Sequence, residues 1–166
     1  LNALRADGKS IQKKLDRPMI ESVSNQLGPE WSVIGEYVHQ RVVVQKAGFS
    51  AKPKLVAKSI KFGQIGFFDT ETTGLSNGAG TIVFLFGIGS IIDDQFIVRQ
   101  VFLENFSGEK LFLENVELLI SNFSVLISFN GLAFDKRILD TRLIIDGRVP
   151  STHQHIDLLH LSRKIW

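Results

Sequence analysis

Between residues 65 and 103 three apolar runs stand almost end to end: Ile65–Asp69, Ile82–Ile91 and Phe96–Leu103. Each reads as a buried strand, and the Asp93-Asp94 turn joins the last two. After Leu103 the period changes. Leu111, Phe112, Val116, Leu119 and Ile120 recur at helical spacing, predicting a helix over 109–122. A strand over 125–129 follows. A second helix over 134–145 carries Phe134, Ile138, Leu139, Leu143 and Ile144 on one face and ends at Asp146-Gly147. A short strand near 155–157 and a helix starting at Leu158 complete the order. Three antiparallel strands, then helix–strand–helix–strand, predict an α/β fold: a mixed five-stranded sheet flanked by helices. Upstream, residues 1–28 are polar and read as flexible with one short helix. A hairpin is expected over 31–44, and a linker with Pro53 and scattered lysines over 47–63. The chain thus divides into a leader at 1–63 and a core domain at 64–166. It opens on Leu1 and stops at Trp166 without a C-cap signal, so it reads as a piece of a longer protein or a truncated gene product.

The first strand runs into chemistry. Phe67-Phe68 leads into Asp69-Thr70-Glu71, then the polar turn Thr72-Thr73-Gly74-Leu75. Residues two apart on a strand share a face, so Asp69 and Glu71 would point the same way. Two adjacent carboxylates repel each other and lose hydration, a cost that a cation neutralises. Hard oxygen ligands of this kind suit Mg²⁺ or Mn²⁺. A second acid follows the strand at 125–129. Asn130-Gly131 ends that strand with turn chemistry, and Asp135 lies in the first turn of the next helix. Alone, Asp135 equally suits the helix dipole. Beside Asp69 and Glu71 it reads as a third ligand, because the two motifs close strands that can be neighbours.

Asp69 through Leu75 resembles the first motif of the DEDD (DnaQ-like) 3′–5′ exonuclease superfamily, and Asn130 through Asp135 resembles its second. The closer likeness is to the bacterial YprB-like group with its ribonuclease H-like domain. It is supported by Ser76–Gly87, Val98–Leu103 and His155–His160, and extends over about residues 65–166. The resemblance implies a ribonuclease H-like fold and a metal-dependent nuclease. Asp69, Glu71 and Asp135 would hold two Mg²⁺ or Mn²⁺ ions roughly 4 Å apart across a scissile phosphate. It implies substrate contacts at Thr72, Thr73, Gly74, Leu75, Asn130 and Phe134. Leu75 is open to a second reading, tucked into the core, and so is Phe134. The superfamily also uses a fourth carboxylate, four residues after a Tyr or five after a His. Tyr37 is followed by Arg41, and none of His39, His153, His155 and His160 has an acid five residues on. The domain therefore reads as C-terminally incomplete. Asp157 is the remaining candidate for the fourth acid, and its other reading is a cap on the helix at Leu158. Without a third motif, the alternative to an exonuclease is a nucleic-acid-binding module that keeps the fold and lacks a complete site.

Charge and composition narrow the partners. The formal charge of +2 over 166 residues hides an asymmetry. Residues 1–63 carry eleven Lys or Arg against five acids, a net +6, leaving −4 for 64–166. A basic leader beside an acidic metal site suits DNA or RNA, with a single-stranded 3′ end as the expected substrate. The other reading of the leader is a solvated arm that touches nothing. With no cysteine, the chain excludes a disulfide scaffold and a thiolate zinc site, and fits a reducing cytoplasm. No apolar run reaches the roughly 18 residues of a membrane span. No dinucleotide or Walker fingerprint is present, which disfavours a small-molecule enzyme.

Overall fold

A computed structural model describes residues 27–47, 62–74 and 80–165. Most of the expected leader and linker lies outside these residues, as does Leu75. The strands are β1 (Ser32–Gly35), β2 (Val38–Lys46), β3 (Ile65–Thr72), β4 (Val83–Ile92), β5 (Gln95–Leu103), β6 (Val125–Ser128) and β7 (Gln154–Asp157). The helices are α1 (Glu109–Ile120), α2 (Asp135–Ile145) and α3 (Leu158–Ile165).

All seven strands form one sheet in the order β1-β2-β5-β4-β3-β6-β7. The class is the expected mixed α/β sheet, but with seven strands rather than five. The difference is the β1–β2 hairpin. β2 pairs antiparallel with β5 along its whole length, from Val38 opposite Leu103 to Lys46 opposite Gln95. Burial of Val38 anchors it, and without this hairpin β5 would leave an open row of backbone donors and acceptors. The β4–β5 hairpin turns at Asp93 and Asp94, whose φ values of 48° and 62° match the right-handed twist of the flanking strands.

The centre of the sheet positions the site. β3 pairs antiparallel with β4 and parallel with β6, and β6 pairs parallel with β7. In open sheets of this kind ligands bind outside the carboxyl ends of parallel strands, where strand order switches. For β3 and β6 those ends are Thr72 and Ser128. Phe68 of β3 stacks on Phe86 of β4 at 6.1 Å. The helices cover this face with Phe112, Leu113, Val116 and Ile120 from α1 and Ile138, Leu139 and Leu143 from α2. Burying each large side chain stabilises by about 1.5–3 kcal/mol. β3 comes so close to its cover at Gly66 that a Cβ there would lie 2.8 Å from Ile88 and 2.9 Å from Phe123. Arg142 ties α2 to α1 through two bonds to Glu109, Nε to Oε1 at 2.6 Å and Nη2 to Oε2 at 2.5 Å. Among the described residues no helix is long and apolar enough to cross a membrane.

Candidate active site

β3 runs three residues further than expected, so Glu71 lies within the strand. By alternation Phe68 and Thr70 face the helix layer, while Asp69 and Glu71 face the other way and are exposed. The residue opposite Asp69 on β4 is Gly87, which puts no side chain beside the carboxylate. Asp135 reaches the strand from the helix side, at Thr70. Its Oδ1 accepts the Thr70 backbone N–H at 3.2 Å and also the Thr70 hydroxyl. Thr70 reads in the sequence as a mere spacer; a threonine between two strand acids carries no signal of a distant partner.

These residues open onto a cleft of about 210 Å³ lined by Thr70, Glu71, Thr72, Gly74, Phe134, Asp135 and Ile138. Glu71 and Asp135 share its wall. Asp69 stands outside that lining but feels Asp135: partial desolvation first, then the Asp135 charge, push its carboxyl up, and the Thr70 N–H only partly offsets them. That like-charge strain is what a hard divalent cation relieves, and the donor chemistry suits such a cation. The spacing is looser than the donor set suggests. Among the described residues no three His, Asp or Glu side chains are gathered into a group that could hold a metal ion.

The other expected contacts divide. Phe134 is 41% exposed and lines the cleft, so its core reading fails. The Thr72 hydroxyl donates to the Gly74 carbonyl at 2.9 Å, and the Thr73 hydroxyl accepts the Ile82 N–H at 3.1 Å. Both threonine side chains thus shape the turn. A Cβ at Gly74 would meet nothing within 4 Å, so packing within the described protein does not require glycine there.

Asn130 adopts the left-handed conformation, with φ 63°, which asparagine tolerates better than most residues. Its N–H donates to Asp157 Oδ1 at 2.7 Å. Asp157 is only 5% exposed and also accepts Leu132 N–H on Oδ2 at 3.1 Å and Leu159 N–H on Oδ1 at 2.9 Å. The Leu159 bond is an N-cap on α3. Burial pushes the Asp157 carboxyl up, but the Leu159, Leu132 and Asn130 donors outweigh it and hold the group below its usual range. Beside it, Ser128 Oγ meets His155 Nε2 at 2.7 Å, and the imidazole packs on Phe68 at 5.2 Å. Burial, then the Lys136 charge, push the His155 pKa down, which favours the neutral ring. Neither the Thr70–Asp135 contact nor the Ser128–His155 pair was legible in the sequence.

A family model described as RNase_H superfamily matches residues 66–165. The chain belongs to the RNase H superfamily. It is 37% identical over 115 residues to the uncharacterized protein YprB of Bacillus subtilis strain 168, a match that takes in 68% of this chain and 28% of that protein. The chain thus spans little more than a quarter of that relative. Among solved structures, E. coli exonuclease I in complex with a 5cy-dA13 oligonucleotide superposes with a TM-score of 0.50 at 16% identity, over 60% of this chain and 29% of that one. A complex of ExoI with SSB-Ct gives 0.51 at 17% identity over the same shares. At such identity the likeness is one of fold. It agrees with the family assignment.

Proposed function

We propose that the chain is the catalytic part of a metal-dependent nuclease of the cytoplasm, a 3′–5′ exonuclease that hydrolyses phosphodiester bonds at single-stranded 3′ ends of DNA or RNA. The observation that carries this reading is the Asp135 carboxylate held against Thr70, the strand residue between Asp69 and Glu71 in sequence, with Glu71 and Asp135 lining one cleft. Asp69, Glu71 and Asp135 would hold two divalent cations, Mg²⁺ or Mn²⁺. Bound there, the cations supply charge neutralisation for a scissile phosphate and an activated water. The protein's own residues do the positioning. Thr70 fixes the Asp135 carboxylate, Gly87 keeps the space beside Asp69 open, and the exposed Phe134 ring offers a face on which a base can stack. Thr72 and Thr73 hold the turn carrying Gly74, and Leu75 and Asn130 complete the substrate contacts.

A second reading has its own support. With no three-carboxylate group among the described residues, and with Asp157 occupied by three backbone donors, a nucleic-acid-binding module that no longer cuts also fits. One assay separates the two. The chain is incubated with 5′-labelled single-stranded DNA and RNA, with Mn²⁺ or with EDTA. A ladder shortened from the 3′ end only with metal, and absent in Asp69→Asn, supports the exonuclease. Retarded migration of the oligonucleotide without any shortening supports the binding module. A ladder that persists in Asp69→Asn overturns the site.

A further inference from the structure

Asp157 is nineteen-twentieths buried, yet its carboxylate does more than cap a helix. Asp157 Oδ1 accepts N–H groups from Asn130 at 2.7 Å and Leu159 at 2.9 Å, while Oδ2 accepts Leu132 N–H at 3.1 Å. Two of these donors belong to the turn between β6 and α2, and the third to the first turn of α3. The β6–β7 register, with Ser128 opposite Asp157, brings the carboxylate to the root of that turn. From Leu132 the constraint passes along the chain: the Gly131 carbonyl accepts the Lys136 N–H at 2.8 Å, which pins the turn to the start of α2. Asp135 is the residue before Lys136. Gly131 has no slack, since a Cβ there would lie 2.3 Å from Ser128 Oγ and 3.3 Å from Asp135 Oδ2. The turn nevertheless keeps Phe129, Leu132 and Phe134 at 62%, 43% and 41% exposure. Its shape is therefore held by backbone hydrogen bonds more than by burial of its own side chains.

We infer that Asp157 is a positioning residue for Asp135: it fixes the Asn130–Leu132 backbone and thereby sets where the Asp135 carboxylate meets Thr70. The assignment rests on the nuclease reading. It gives the buried acid a role in catalysis with no contact to substrate or metal.

The two oxygens have different partners, and this makes the test selective. In Asp157→Asn, with the amide oxygen in the place of Oδ1, the acceptor for Asn130 and the α3 cap survives. The amide NH₂ then faces the Leu132 N–H, donor to donor, and that bond is lost. The whole chain is assayed on 5′-labelled single-stranded DNA with saturating Mn²⁺, well below the Tm of each variant. Amide hydrogen exchange is followed at Asn130, Leu132 and Leu159. Asp157→Asn is expected to lower kcat about tenfold, in line with the cost of a small misplacement of a catalytic group, with KM and the Mn²⁺ midpoint within about twofold. Exchange is expected to quicken at Leu132 and to stay slow at Leu159. Asp157→Ala removes all three bonds and is expected to be worse in both kcat and Tm; if it does not fold, Asp157→Asn by itself still tests the inference. An unchanged kcat in Asp157→Asn despite faster exchange at Leu132 overturns the inference. A lost Mn²⁺ response with slow exchange at Leu132 also overturns it, because Asp157 would then be a ligand. Wild-type chain without metal-dependent cleavage sinks the nuclease reading and this assignment together, whereas an active wild type with an unaffected Asp157→Asn sinks the assignment alone.

Discussion

Asp69 shows how a strand-end acid and a stable fold pull apart at the level of one side chain. Its carboxyl is pushed above the ordinary value of 3.8 by partial desolvation and by the Asp135 charge. A group whose pKa is raised on folding costs stability once it ionises, and the cost vanishes below its unfolded pKa. In metal-free protein Asp69→Asn is therefore expected to raise Tm at pH 7. The gain should fade as pH falls through the raised folded value and be gone below 3.8, where the wild-type group is protonated in folded and unfolded chains alike. Thermal melts of both proteins across that range check it, and a wild-type Tm at or above that of the variant at pH 7 rules it out. The same substitution is expected to remove metal-dependent cleavage. Thr70 is a second case. Thr70→Val deletes the hydroxyl donor to Asp135 but keeps the backbone N–H at 3.2 Å. Loss of one hydrogen bond to a charged group costs about 1.5–3 kcal/mol, so a kcat lowered by roughly 10- to 100-fold is expected, measured on labelled oligonucleotide.

At the level of elements, local pattern and packing account for most boundaries. α1 was readable because Phe112, Val116 and Ile120 repeat at helical spacing, and all three are buried. In α2 the same reasoning put Phe134 and Ile144 on the inner face with Ile138, Leu139 and Leu143. Only the last three are buried, while Ile144 is 61% exposed and Phe134 precedes the helix as its N-cap residue. An apolar stripe records what a helix can bury, and the width of the facing sheet decides how much of it is used. The α1–α2 link is electrostatic as well as apolar. The Arg142 and Glu109 side chains are only 11% and 19% exposed. Arg142→Ala strands the Glu109 carboxylate and is expected to destabilise by about 1–3 kcal/mol. Arg142→Lys, which cannot form the two-bond fork, should recover only part of that. Urea unfolding measures both. The β6–α2 turn gives a steric prediction. Gly131→Ala drives a methyl to within 2.3 Å of Ser128 Oγ, whose side chain is itself bonded to His155. A cost of about 1–3 kcal/mol is expected, read from the shift in the urea midpoint.

For the molecule as a whole, metal and fold should be linked. An ion that binds only the folded chain stabilises it by about 2.7 kcal/mol at a hundred times its Kd. Mn²⁺ is therefore expected to raise Tm in the wild type and to do so far less in Asp69→Asn; equal shifts in the two proteins would place the ion elsewhere. The architecture was largely legible because the β4–β5 hairpin, the helix periods and the strand after α1 are local signals. The two outer strands were foreseen as a hairpin but not as part of the sheet, since pairing of β2 with β5 joins residues 49 to 65 positions apart.

From the chain alone came the element order, the acid-bearing strand end and the turn at Asn130-Gly131. Each depends on neighbours within a few positions, where alternation, helical spacing and turn chemistry operate. Only the tertiary structure decided that Thr70 holds Asp135, that Phe134 faces the cleft, and that Asp157 ties the β6–α2 turn to α3. Those contacts join separate segments, and their geometry depends on strand register and on how the helices settle on the sheet.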